Sequence, residues 1–266
     1  MVIMSVFLLQ AGGDWSAAAE SWSDGFWRIL ALAGPLLLAI LLLALVVRAL
    51  ARRSRYHAVG VLSEADRAAV RAALAEAEKR TVGEILPVVV ERSDPHPAAE
   101  WLAALAFLLV GSALLAPWLP WHHPALLLLA QFVMGAVGFG LARVLPGFKR
   151  LFVFEDRANR VAMEQAFQEF YANGLHKTEA ATGVLIFVSL FEHRVVVMGD
   201  EGIDTKVNTE WWNAVNEAVL AGVRRGSLRD GLIEGVRRAS DVLAEHFPWR
   251  EDDRDEIPNR VIVRRE

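Results

Sequence analysis

No cysteine occurs among the 266 residues. Disulfides, thiolate metal centres, iron–sulfur clusters and cysteine nucleophiles are therefore excluded. Charge is missing over one long stretch, since no Asp, Glu, Lys or Arg falls between Trp101 and Ala142. The chain also lacks a continuous basic stripe with interleaved aromatics, and its formal net charge is -4, which argues against nucleic acid as a partner. No Gly-rich phosphate loop and no G-x-S-x-G elbow is present. Histidine and ionisable residues are absent from the interiors of the apolar segments. That argues against axial pigment or haem ligation within a span and against an ion or proton pathway.

The residues that are present fit a mixed protein. The chain is 54% hydrophobic and 23% charged, with mean hydropathy +0.31. It is too apolar for an ordinary soluble domain and too charged for a pure membrane bundle. Three spans plus one soluble domain of about 150 residues account for both figures. The charge-free stretch is divided by the turn Pro117–Pro124 into Trp101–Ala116 and Ala125–Leu145, and a third apolar segment runs from Ile29 to Val47. A bilayer core of about 30 Å needs about 20 apolar residues per helix. The expected organisation is an outer N-terminal segment (1–24), a first span (25–47), the first part of a cytoplasmic domain (48–98), a transmembrane hairpin (99–145), the second part of that domain (146–250) and a tail (251–266).

Basic residues orient the spans. Arg48, Arg52, Arg53 and Arg55 follow the first, and Arg143, Lys149, Arg150, Arg157 and Arg160 follow the third, whereas Asp14, Glu20 and Asp24 precede the first. The positive-inside rule places the N-terminus outside and the main domain in the cytoplasm. Trp22, Trp27, Trp118 and Trp121 then sit at the outer interface and Trp101 at the inner one. Trp15, Ala18, Ala19, Trp22 and Phe26 have helical spacing, which fits a short interfacial helix or a tail with scattered Trp. Met1–Leu9 reads either as a signal peptide without a basic start or as a retained apolar tail.

The soluble domain is predicted as follows. Ser63-Glu64-Ala65-Asp66 resembles a capping box and opens a helix to about Arg80. Glu84–Glu91 is a buried strand, with Pro87 arguing for an edge position or a bulge. A helix from Glu155 to Asn173 turns Val161, Ala166, Phe167 and Phe170 inward and stops at Gly174. Strands Gly183–Leu190 and His193–Met198 flank a tight turn at Phe191-Glu192. Helices Thr209–Arg225 and Asp230–His246 follow, the latter with Leu232, Val236, Ala239 and Leu243 inward. The tail Glu251–Glu256 is expected to be solvated, and Ile257–Val263 to be a free arm or an added sheet edge. The fold class is α/β: three transmembrane helices plus a cytoplasmic α/β/α sandwich interrupted by the hairpin.

Several of these segments resemble the TPM domain family. They are the helix followed by Thr81-Val82-Gly83-Glu84-Ile85, the strand Thr182–Leu190, the segment His193–Ile203 and Gly226–Leu232 before the last helix. The resemblance covers about 60–98 and 150–248 and extends to a bacterial integral-membrane branch with an inserted hairpin. It implies an α/β/α sandwich and membership of a family linked to photosystem assembly and repair, weak acid phosphatase activity, calcium binding and receptor modulation. The family usually has Asp or Asn where this chain has Thr182, which removes a charge from any metal site there. The remaining metal candidates are Glu84, Asp200 and Glu201, with Asp204 nearby. They would hold calcium or magnesium to neutralise phosphoryl oxygens, although Asp200-Glu201-Gly202 is also an ordinary turn composition. His176 and His193 are either acid/base groups or surface residues, and His122 and His123 lie in the outer turn.

The expected function is that of a membrane-anchored accessory or assembly subunit of a larger membrane complex, photosynthetic or respiratory, in a bacterial inner membrane. The alternative is a weak metal-dependent phosphatase. Trp15, Trp22, Trp27, Trp118 and Trp121 are the candidate partner contacts, as are Gly135 and Gly138, where small residues allow close helix approach. Complex subunits and the lipid bilayer are the expected partners.

Overall fold

The computed structural model describes residues 62–207, 209–251 and 254–264. The expected first span, the outer segment and Trp15, Trp22 and Trp27 lie outside them. The chain divides into two compact units, and the described parts are Glu100–Val144 in one, and 62–99 with 145–264 in the other.

The larger unit opens with α1 (Glu64–Glu78), and its capping box is complete. The Ser63 hydroxyl accepts from the Asp66 N–H, and the Asp66 carboxylate accepts from the Ser63 N–H. After β1 (Glu84–Val90) the chain enters α2 (Pro97–Leu114) and α3 (Pro124–Val144). It continues through the short α4 (Pro146–Lys149), α5 (Glu155–Ala172), β2 (Gly183–Ser189) and β3 (Arg194–Gly199). The short α6 (Glu201–Asp204), α7 (Thr209–Arg224), α8 (Leu228–His246) and β4 (Ile262–Arg264) complete it.

The sheet order is β3-β2-β1-β4, with β1 parallel to β2 and β4, and β3 antiparallel to β2. Both central strands are buried along their whole length, as continuous apolar runs require. Their alternate residues serve two cores. Ile85, Val89, Val184, Ile186 and Val188 pack with α1, α7 and α8. Leu86, Val88, Leu185 and Phe187 pack with Ala162, Ala166 and Phe170 of α5. The layers are therefore helix, sheet, helix, and the expected arm does become an added strand.

Pro87 shows how a proline sits in a central strand. Glu84 N donates to Thr182 O on the β2 side, and Glu91 N donates to Arg264 O on the β4 side. Alternation along a strand puts the position of the missing Pro87 N–H on the β4 side. There β4 begins only opposite Val88, so the expected edge position is corrected: β1 is interior, and its proline is tolerated because β4 does not reach it.

Two further expectations need correction. Phe167 is 49% exposed. The buried stripe of α5 runs through Ala158, Ala162, Ala166 and Phe170, and one further residue turns about 100° out of it. The described residues of the acidic tail, 251 and 254–256, are exposed but engaged, since Glu256 accepts from the Glu179 N–H and its own N–H donates to Glu84.

In the smaller unit, α2 and α3 are each long and apolar enough to cross a bilayer. They approach closely at Gly138, where an added Cβ would lie 2.6 Å from Ala103 O and 2.7 Å from Phe107 Cβ. The Trp101 and Phe139 rings meet at a tilt with centroids 5.0 Å apart, and Arg143 pairs with Glu100 at 3.5 Å. Leu105, Leu109, Leu128, Leu129 and Phe132 point outward.

Candidate functional site

Titratable groups gather at both ends of the sheet. One end holds the starts of β1 and β2 and the finish of β3. Glu84, the first residue of β1, is 5% exposed and lies opposite Gly183. Gly183 has no room for a side chain, because an added Cβ would meet Leu175 O at 2.3 Å. Glu84 Oε1 accepts the Glu256 N–H at 3.0 Å. Burial pushes the Glu84 carboxyl up to about 7; the Glu256 N–H works against that, and the negative charges of Glu78, Asp255 and Glu256 add to it.

Glu78, Glu84 and Asp255 each offer one carboxylate oxygen within 4.8 Å of the others. Among the described residues this is the group of three that could share an ion. Oxygen donors from three carboxylates suit a hard divalent cation such as calcium or magnesium. The neighbouring negative charges that raise Glu84 are what such a cation would relieve. Glu78 and Asp255 carry no sequence signal, because one ends a helix and the other sits in a tail far along the chain.

Asp200 and Glu201 lie on the other side of Gly183. Asp200 N donates to Gly183 O at 2.9 Å, and Asp200 Oδ1 caps α6 by accepting from Glu201 N at 2.9 Å. Asp200 Oδ2 is buried without a hydrogen-bond partner. Glu201 is exposed, and burial pushes Asp204 up. Glu84 thus groups with Glu78 and Asp255, while Asp200 and Glu201 form the start of a helix. Thr182 is 1% exposed and its hydroxyl donates to Val82 O at 3.3 Å, so it is committed to the backbone.

The opposite end holds a polar network with no counterpart in the sequence reading. Glu192 is fully buried and accepts from Ser93 N at 3.1 Å, from the Ser189 hydroxyl, and from His96 Nε2 at 2.7 Å. Burial alone would push its carboxyl up; the bonds from His96, Ser189 and Ser93 outweigh that and hold it below the usual carboxylate range. His96 is 3% exposed and has φ 47, with its backbone N–H donating to Asp94 Oδ1 at 2.6 Å. Asp94 in turn pairs with Arg157 at 2.9 Å. Lys149 donates to Pro95 O and Arg150 to Phe191 O. The segments leading into α2 and out of α3 are both tied to the β2–β3 turn. His176 and His193, by contrast, are exposed.

Trp118 and Trp121 are exposed in the hairpin turn, and the Trp121 indole donates to Ala116 O at 2.6 Å. Gly138 is filled by the sister helix, and a Cβ on Gly135 would lie 3.8 Å from Ala104 O, so both expected partner contacts face within the hairpin.

No curated protein matches the chain. The chain is similar to the BA42 protein from the psychrophilic bacteria Bizionia argentinensis, solved by NMR, at 21% identity and TM-score 0.49, covering 76% of this chain and 94% of that one. The family model of the TPM domain matches residues 149–242, a stretch that starts after the hairpin and runs from α4 into α8. Over those residues the chain is similar to the TPM domain.

Proposed function

We propose that this chain is a membrane-anchored interaction protein whose domain serves as an accessory or assembly subunit of a larger membrane complex. The observation that carries this reading is the hairpin, with two helices of 18 and 21 residues whose outward faces are apolar. Hydrocarbon is the solvent that suits such faces. On this reading α2 and α3 cross a bacterial inner membrane, the basic residues after α3 mark the cytoplasmic side, and photosynthetic or respiratory complexes are the leading partner class. The test is gentle solubilisation of native membranes, isolation of the tagged full chain and mass spectrometry of what accompanies it. A large assembly of fixed stoichiometry is expected. A lone small particle in every mild detergent overturns the reading.

A second reading, a divalent-metal-dependent phosphatase, is favoured by the Glu78, Glu84 and Asp255 group. In it Glu78, Glu84 and Asp255 would hold calcium or magnesium, which would supply positive charge against the phosphoryl oxygens of a phosphate ester. The test is calorimetric titration of the full chain with each cation, together with hydrolysis of a chromogenic phosphate ester. Binding and hydrolysis that both disappear in Glu84→Gln are expected. Absence of any binding heat with either cation rejects this reading.

A further inference from the structure

We propose that the segment from Pro146 to Arg160 is a docking surface for the headgroups of anionic phospholipids, and this rests on the reading of α2 and α3 as membrane spans. Three observations lead to it.

The first is an unusual pair of exposed apolar side chains. Leu151 is 63% exposed and Phe154 is 69% exposed. Their neighbours are firmly held. Phe148 is buried with its ring 5.3 Å from that of Phe152, Lys149 donates to Pro95 O, Arg150 donates to Phe191 O and Arg157 pairs with Asp94. The backbone on either side is thus fixed to the domain, and Leu151 and Phe154 remain on its surface.

The second is charge. Between Pro146 and Arg160 the chain has four basic residues and two acidic ones, within a chain whose net charge is -4; of the four, Lys149 is buried and Arg157 pairs with Asp94. One of the two acidic residues, Glu155, is paired with Arg194. Arg157 and Arg160 are exposed beside Phe154. Leu and Phe among Arg residues are the composition of a surface that lies in the headgroup layer, with apolar groups at the acyl boundary and guanidinium groups at the phosphates.

The third is chain length. Only six residues separate Val144, the end of α3, from Leu151. At a helical rise of about 1.5–2 Å per residue, the chain reaches no more than about 15 Å beyond the span. The covalent chain therefore keeps the surface within reach of the headgroup region of a bilayer that would hold α3. A distant protein partner needs a coincidence of placement that the bilayer does not.

The absence of native cysteine allows a direct test. Full-length Leu151→Cys, Phe154→Cys, Phe132→Cys and Trp249→Cys are labelled with a small environment-sensitive fluorophore and reconstituted in vesicles. The vesicles are of phosphatidylcholine alone or with phosphatidylglycerol. Quenching is read with lipids carrying a nitroxide at the headgroup or deep in the acyl chain.

The expected result is acyl-chain quenching at 132, none at 249, and headgroup quenching at 151 and 154 that is stronger from nitroxide phosphatidylglycerol than from nitroxide phosphatidylcholine. Arg160→Gln should reduce that preference, by up to about fivefold for one basic residue near the surface. Water-like emission at 151 and 154 with acyl-chain quenching at 132 overturns the docking surface and leaves the membrane reading standing. Shielding from water without lipid quenching means a protein contact and also overturns it. Equal quenching by both lipids overturns the assignment to anionic headgroups. Absence of acyl-chain quenching at 132 removes the membrane reading and this inference with it.

Discussion

His96 Nε2 lies 2.7 Å from Glu192 Oε1, and both side chains are buried, at 3% and 0% exposure. The carboxylate accepts only, so His96 Nε2 must carry the proton in this bond. Around it, Ser93, Ser189 and Asp94 leave neither group alone. Glu192→Gln keeps the volume but weakens three charge-assisted bonds, and a loss of about 1–3 kcal/mol is expected in denaturant unfolding of the full chain. Glu192→Ala should cost more, about 3–5 kcal/mol, because His96 and two serines lose their acceptor.

The same carboxylate makes stability fall in acid. Its pKa is held below the usual value in the folded protein. The stabilisation it brings is present above the ordinary glutamate pKa of about 4.3 and is lost as pH falls through the lower folded value. An unfolding series in acid should show this loss in the native chain, and the part due to Glu192 should disappear in Glu192→Gln.

Glu84 has the opposite sign. Its folded pKa rises to about 7. The unfolded chain gives up this proton first, so stability should decline as pH rises from about 4.3 to about 7 and stay reduced above that. Glu84→Gln should flatten this part of the profile. Calcium or magnesium bound at Glu84 would displace the proton, so proton release measured by calorimetry in two buffers at neutral pH should accompany binding.

Gly138 and Gly135 should respond differently to the same change. Gly138→Ala puts a Cβ 2.6 Å from a backbone oxygen that cannot move freely. A loss of about 1–3 kcal/mol in detergent-mediated unfolding is expected. Gly135→Ala meets ordinary contact at 3.8 Å, so a change below about 0.5 kcal/mol is expected.

The two sides of β1 should differ as well. Pro87→Val restores an N–H on the side that β4 does not reach at this point, so its effect should be small. Val89→Pro removes an N–H where β4 is paired with Val88–Val90, and a loss of about 3 kcal/mol is expected in denaturant unfolding.

Much of the fold was legible from local rules. The Ser63 cap, the stop at Gly174 with φ 76, the double-faced apolar runs of β1 and β2, and the inward stripe of α8 follow from spacing and composition alone. The charge-free stretch likewise marked the two hairpin helices, because their length and apolarity are visible in composition alone. Phe167 was misplaced because Ala166 and Phe170 on either side of it share the buried arc, and one position along a helix turns about 100° out of that arc.

The sequence by itself determined which of the described segments become helices, strands and long apolar helices, since these depend on periodicity and composition within a few residues. Only the tertiary structure decided which charges meet. Glu78, Glu84 and Asp255 are separated by up to 177 residues, and His96 is 96 residues from Glu192. Their encounters depend on the parallel register of β1 with β2 and on the tail returning past Glu84 to form β4. No local pattern encodes those pairings, because the energy that fixes them is the burial of two cores on opposite faces of one sheet.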